Sequence, residues 1–346
     1  MAQKEFFGLD VGNHSIKIVQ LEKIDTPKPR LVAFGAGSTP VGVLGSENDL
    51  HKEALAKAIQ DVVKAAEIST KNVVIALPEG SVFSRLTTIP YVEGKNFEEA
   101  VYWEAKKSIP GNIEDVVVKP LVVAAKDVNG QKMLDVLIVA APNSIIDRYL
   151  DIAQRAKLNP IAMETEGIAI VRSLMRTYQQ GSSAIVMDWG SQTTEMSVAR
   201  PEGIVWSQSI PIGSDTITRA LMQSFQLSWN QAEEYKKTYG LDMQYMGGKV
   251  AGIIKPVVDS ILVEVKRAID YFKKDFPDVQ ITKVLYVGDA SLLPGLIPYS
   301  ANYLQLDVQA GDPWSGIEIN EKFKPLLLKG APGYAVAIGL ALKQDF

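Results

Sequence analysis

The 346-residue sequence has no cysteine. That excludes disulfides, thiolate chemistry and cysteine-ligated zinc. Its two histidines, His14 and His51, stand too far apart in sequence to suggest a histidine metal cluster. No run of about twenty apolar residues occurs, the length a helix needs to cross a bilayer. The opening Met1-Ala2-Gln3-Lys4-Glu5 lacks the basic-then-apolar pattern of a secretion signal. The formal net charge is −4, so there is no basic excess to neutralise nucleic-acid phosphates. What remains is 47 % apolar and 22 % charged, the balance of an ordinary globular protein. The length exceeds what one compact core holds and predicts two domains or a lobed pair. The expected compartment is the cytoplasm, with no nucleic-acid partner.

The apolar pattern predicts three short strands at the start, Phe6 to Val11, Ile16 to Leu21 and Leu31 to Gly37, read as an antiparallel meander. A helix from Leu50 to Glu67 follows, with Leu55, Ile59, Val62, Val63 and Ala66 at helical spacing. A mixed stretch at 72–142 reads as a small inserted α/β subdomain. It holds strand-like Val73–Leu77 and Val82–Ile89, a helix around Phe97–Lys107 and two further β-rich runs. Helices at Ile145–Lys157 and Ile168–Met175 close the first half, 1–182. After the turn-rich Gln179-Gln180-Gly181-Ser182 the opening pattern returns as strands at Ala184–Asp188, Glu195–Ala199 and Gly203–Ile210. Helices near Asp215–Phe225, Asn230–Tyr239 and Val257–Lys274 make 226–280 a helical subdomain of the second half, 183–346. A strand at Lys283–Val287, a glycine turn, a helix and the small-residue helix Tyr334–Leu342 end the chain.

The repeat carries the main signal. Asp10-Val11-Gly12-Asn13-His14-Ser15-Ile16-Lys17 and Asp188-Trp189-Gly190-Ser191-Gln192-Thr193-Thr194-Glu195 both follow an apolar strand and lead into a second one. Each has Gly two residues after Asp, a hydroxyl five after it and a charge seven after it. Glycine lets the backbone approach a ligand, and successive N–H groups suit phosphate oxygens. Ser15 and Thr193 add hydroxyl donors, and Lys17 can neutralise phosphate charge. Asp10 and Asp188 suit magnesium, mainly through its waters. Two such hairpins face to face would clamp one triphosphate. The alternative is a pair of plain Asp–Gly hairpins, and the shared offsets argue against it. A Rossmann site does not fit, because the glycine turns lead into strands and not into helices. A third glycine turn, Gly288-Asp289 through Leu296, follows a strand and opens a helix, a place where a nucleoside can lie against backbone.

In this order the motifs resemble the actin, Hsp70 and sugar-kinase superfamily, which has two phosphate loops, two connecting segments and an adenosine loop. The implied fold is α/β, actin-like (ribonuclease H-like), two-lobed, with an FtsA-type inserted small subdomain. Glu166-Gly167-Ile168-Ala169 looks like the first connecting helix and Gly333 to Ala341 like the second. Within the superfamily the chain is similar to the PilM family of type IV pilus assembly proteins, itself similar to FtsA. Gly8 to Leu21, Arg85 to Pro90 and Trp103 to Pro110 carry that likeness. Ala232-Glu233-Glu234-Tyr235-Lys236 resembles the helix that lies over the adenine.

The resemblance implies ATP and Mg2+ as cofactors. Asp10 and Asp188 serve the metal. Gly12, Asn13, His14, Ser15, Lys17, Gly190, Ser191, Gln192, Thr193, Glu233, Lys236, Gly288 and Asp289 serve the nucleotide. Glu166 matches a water-orienting glutamate of several relatives, and Glu164 competes for that role. His14 reads equally as a solvent-facing turn residue, and Glu233 and Lys236 as a simple helical pair. Two departures stand out. Ser191-Gln192 and Gly288-Asp289 occur where relatives carry glycines, which puts fast hydrolysis in doubt more than binding. The implied role is a scaffold of the pilus inner-membrane complex, binding the N-terminal cytoplasmic peptide of PilN and meeting the membrane only through partners. An FtsA-like filament protein of division and a small-molecule kinase are the rival readings. The C-terminal segment carries no basic amphipathic helix of the FtsA kind, and no extra aspartate motif marks a kinase base.

Overall fold

The computed structural model describes residues 5–92, 94–178, 183–275, 279–327 and 330–344. The turn predicted over Gln179–Ser182 lies outside them. Strands β1 (Phe7–Val11), β2 (Ser15–Glu22) and β3 (Arg30–Ser38) form the predicted antiparallel meander. Helix α1 (Asp49–Ala65) starts where the Asn48 side chain accepts from the Leu50 N–H, a cap that satisfies one of the helix's orphan donors. Strand β4 (Asn72–Leu77) then runs parallel to β1. Next come β5 (Phe83–Pro90), α2 (Lys95–Ser108), β6 (Val116–Val128) and β7 (Gln131–Pro142), followed by α3 (Asn143–Arg155), β8 (Asn159–Thr165) and α4 (Glu166–Met175).

The second half repeats the first. Strands β9 (Ser183–Trp189), β10 (Thr194–Arg200) and β11 (Gly203–Ile210) form another antiparallel meander. Helices α5 (Ser214–Phe225), α6 (Trp229–Tyr239) and α7 (Lys249–Asp275) precede β12 (Ile281–Val287). The chain ends with α8 (Leu296–Leu304), β13 (Asp307–Ala310), α9 (Lys324–Leu327) and α10 (Ala335–Ala341). One sheet has the order β3-β2-β1-β4-β8, the other β11-β10-β9-β12-β13. In both, the first three strands are antiparallel and the last two join in parallel. The sequence repeat is therefore a repeat of topology.

Strand alternation sorts the side chains into layers. Phe7, Leu9, Val11, Ile16 and Ile18 pack outward against α1 and α3. Ile185, Met187, Trp189, Met196 and Val198 pack outward against the helices of the second half. The opposite faces of both sheets enclose α4 and α10 in one shared core. That sandwich is tight. A Cβ on Gly339 would lie 1.8 Å from the Ala169 carbonyl oxygen, and one on Gly8 2.2 Å from that of Ala337. Bare backbone is what allows α10 to rest on both α4 and β1.

Four expectations need correction. Asn72–Leu77 is a strand of the first sheet, not of the insert, because it hydrogen-bonds β1 and β8. The separate three-stranded sheet is β5-β7-β6 and begins at Phe83. Helix α7 starts at Lys249, eight residues before the predicted Val257, and runs through Pro256. Both Pro256 and Gly252, whose carbonyl loses its bond to the missing N–H, are exposed, so water can take that carbonyl. Strands β8 and β13 were not predicted. Each is an edge strand of its sheet, with weak alternation. Among the described residues no helix is long and apolar enough to cross a membrane.

Candidate functional site

The same alternation that sends Leu9 and Met187 outward sends Asp10 and Asp188 inward. They meet at a cavity of about 1130 Å³ between the two sheets. The two hairpins are alike in detail. The Gly12 N–H donates to Ser15 O at 2.9 Å, and the Gly190 N–H to Thr193 O at 3.0 Å. Asp10 is the register partner of Lys17, and Asp188 of Glu195. The repeat thus puts an opposite charge beside one aspartate and a like charge beside the other.

The cavity is lined by Asp10, Gly12, Asn13, His14, Ser15, Lys17, Asp188, Gly190, Ser191, Thr193, Glu233, Lys236, Gly288, Asp289 and Glu166. Of the predicted residues Gln192 and the competing Glu164 are not on this wall; the Gln192 side chain is exposed at the tip of the second hairpin. Gly288 is at φ +82°, and a Cβ there would lie 2.4 Å from Asp188 Oδ1, so the third glycine turn can press against the second aspartate only without a side chain.

Burial dominates the electrostatics. It pushes Asp10 up to about 7, against the pull of Lys17. It pushes Asp188 up to about 6, again opposed by Lys17. Glu166, the first residue of α4, is raised well above its usual range by burial and by the Asp10 charge. Its Oε2 accepts from the Glu79 N–H at 3.2 Å, and Glu79 accepts from the Gly167 N–H at 3.2 Å. Glu164 points elsewhere. It pairs with Arg172 and lies 3.2 Å from Lys343 Nζ, away from the cavity wall. Burial also opposes the charge on Glu233, but hydrogen bonds from Lys236 and Thr218 hold its carboxyl below the ordinary value. Lys236 is lowered by burial, and its Nζ donates to Thr218 Oγ1 at 2.9 Å.

Sequence reasoning missed three contributors. Glu195 lines the cavity, and burial pushes it up to about 7 although Ser209 Oγ donates to its Oε1 at 2.7 Å. Its other oxygen is buried without a partner among the described residues. The charge seven residues after Asp188 was the available signal. Trp229 reaches the wall from the start of α6, its ring centroid 6.2 Å from that of His14. Asp215 accepts from His14 across the cleft. No local pattern marks either of these two.

A family model described as type IV pilus assembly protein PilM matches residues 8–345. The chain belongs to that family. A solved PilM-PilN type IV pilus biogenesis complex contains a chain 26 % identical to this PilM-family protein, with TM-score 0.86 and 98 % of each chain covered. Cell division protein FtsA of Streptococcus pneumoniae is 22 % identical over 335 residues, covering 86 % of this chain and 73 % of FtsA. MreB5 of Spiroplasma citri, solved bound to ADP, is 12 % identical with TM-score 0.56, covering 97 % of this chain and 95 % of MreB5; at that distance the likeness is one of fold. The actin-like architecture implied by the family resemblance is the one present.

Proposed function

We propose that this PilM-family chain binds ATP with magnesium in the cleft and acts as a scaffold of the type IV pilus inner-membrane complex. The observation that carries the nucleotide reading is the pair of matched hairpins, each presenting an aspartate and a glycine turn to one cavity. Backbone N–H groups of the two turns and the Ser15 and Thr193 hydroxyls face the phosphates. Gly288 and the α6 residues Glu233 and Lys236 face the nucleoside.

The carboxylates fit a metal-bound phosphate better than an empty pocket. Asp10 and Asp188 are two buried anions that burial drives toward protonation, and a cation between them removes that cost. Among the described residues no group of three or more metal-binding side chains occurs. Two aspartates acting through water, with the phosphates completing the shell, match magnesium, which keeps much of its hydration. Bound magnesium would supply charge neutralisation between the phosphates and the cleft. Burial and the nearby Asp10 charge raise the Glu166 carboxyl well above its usual range, so it is poorly suited to stay charged and in this reading is a group that orients water. That supports slow hydrolysis at most.

The partner in this reading is the N-terminal cytoplasmic peptide of PilN, supported by the likeness to a PilM-PilN complex over 98 % of the chain. It would dock between the insert and the first lobe and hold the protein at the inner face of the cytoplasmic membrane, beside other proteins of the complex. Residues 1–182 and 183–346 are the two lobes of this reading, with 226–280 the helical part of the second, and nucleotide closes the angle between them.

The test is titration with a fluorescent ATP analogue and magnesium, on wild type and on the double variant Asp10→Ala, Asp188→Ala. Saturable binding that the double variant loses is the expected result. A wild-type protein that binds no nucleotide sinks the cleft reading and leaves the scaffold role, which a pull-down with the PilN peptide addresses separately.

A further inference from the structure

Lys17 and His14 of the first hairpin are already engaged across the cleft. Lys17 Nζ donates to Asp289 Oδ2 at 2.7 Å and to Ser15 Oγ at 2.8 Å. Ser15 Oγ itself reaches Asp289 Oδ2 at 3.4 Å. His14 Nε2 lies 2.9 and 3.1 Å from the two carboxylate oxygens of Asp215. His14, Ser15 and Lys17 belong to the β1–β2 hairpin of the first sheet, whereas Asp215 is the second residue of α5 and Asp289 follows β12 of the second sheet.

Both carboxylates are held in place by backbone. The Asp215 N–H donates to Ser191 O at 2.8 Å, which fixes this aspartate against the turn of the second hairpin. Asp289 reaches Lys17 because position 333 is glycine; a Cβ there would lie 2.1 Å from Asp289 Oδ1. A carboxylate offers a lysine or histidine the same acceptor oxygens that a phosphate does.

We infer that Asp215 and Asp289 are specificity-determining residues that occupy the phosphate subsites of the first hairpin, and that a nucleotide enters only by displacing both. This rests on the ATP reading given above. A ligand with one phosphate group can replace one carboxylate and leaves the other pair intact. A magnesium-bound di- or triphosphate reaches both. The two aspartates therefore select for polyphosphate and, without ligand, tie one sheet's hairpin to the other half.

The experiment uses the full chain with Asp215→Asn and Asp289→Asn, singly and together. Both changes keep side-chain size; Asp289 is exposed and Asp215 buried, and the urea midpoint of each variant checks that it folds. Affinity for magnesium-ATP and for AMP is measured by calorimetry. Hydrogen exchange of residues 12–17 and 288–292 is measured on the ligand-free protein. The double variant is expected to bind magnesium-ATP about fivefold or more tightly, the scale of one or two such pairs, and to gain less for AMP. Its ligand-free hairpin amides are expected to exchange faster. Weaker binding of magnesium-ATP, an equal gain for AMP, or unchanged exchange overturns the inference. If neither wild type nor variants bind any nucleotide, the ATP reading fails and displacement with it. The exchange rates then decide separately whether the two aspartates tie the hairpins together.

Discussion

At the scale of residues, the repeat exchanged a cation for an anion. Lys17 and Glu195 hold equivalent places, each the register partner of an inward-facing aspartate. Glu195 holds its proton up to about 7 because it is buried, and the like charges of Glu79 and of Asp188 opposite it add to the effect. Its folded value is above the usual 4.5, so between those values the folded state binds more protons than the unfolded one. Stability from this group is therefore full at acid pH and falls as pH rises from about 4.5 to about 7. Glu195→Gln should flatten that fall and raise the denaturation midpoint of the ligand-free protein at pH 8. Urea unfolding at pH 5 and pH 8 measures it; a variant with the wild-type slope would assign the fall to other groups. Asp10, Lys17 and Asp188 were legible in the sequence because their spacing is local and occurs twice. Asp215 and Trp229 were not, because they come from α5 and α6, and only the tertiary fold brings them to His14.

Elements were legible where alternation or helical spacing was strong. The six strands of the two meanders lie within a residue or two of their predicted bounds, since each has one face on helices and the other on the shared core. The edge strands β8 and β13 carry too little pattern, and Pro256 hid the first turns of α7. The contact between α4 and α10 was invisible to pattern, because glycine says nothing of what approaches it. Gly339→Ala places a methyl 1.8 Å from the Ala169 carbonyl oxygen, and the backbone there cannot yield cheaply. We expect about 2–3 kcal/mol of destabilisation, within the usual range for overpacking. Chemical denaturation at neutral pH reads it directly. Gly252→Ala serves as the control: a Cβ there meets nothing within 4 Å, and alanine suits a helix better than glycine.

For the molecule as a whole, a ligand that bridges both hairpins binds only the folded state. Magnesium-ATP at one hundred times its dissociation constant should add about 2.7 kcal/mol of stability. A thermal melt with and without nucleotide shows this as a rise in midpoint, and the Asp10→Ala, Asp188→Ala variant should show none. The duplicated offsets revealed two matched halves, and the resemblance of the motif order supplied the actin-like architecture. The start of the insert did not, because β4 reads as a strand without saying which sheet it joins.

The insert has one more property. Its sheet does not sit on the first half alone: Leu86 and Val123 pack against the shared core and against the core of the second half, and Ser84 Oγ lies 2.7 Å from Ser207 Oγ on β11. Ser207 in turn donates to Glu79, whose carboxylate accepts from the amide that follows Glu166. A short chain of hydroxyls and carboxylates therefore runs from the cavity wall to the underside of the insert. Anything resting on the insert touches a surface whose seating is shared by both halves. If nucleotide shifts one half against the other, as proposed above, the seat of the insert shifts with them, and a partner on it stands where that movement is felt.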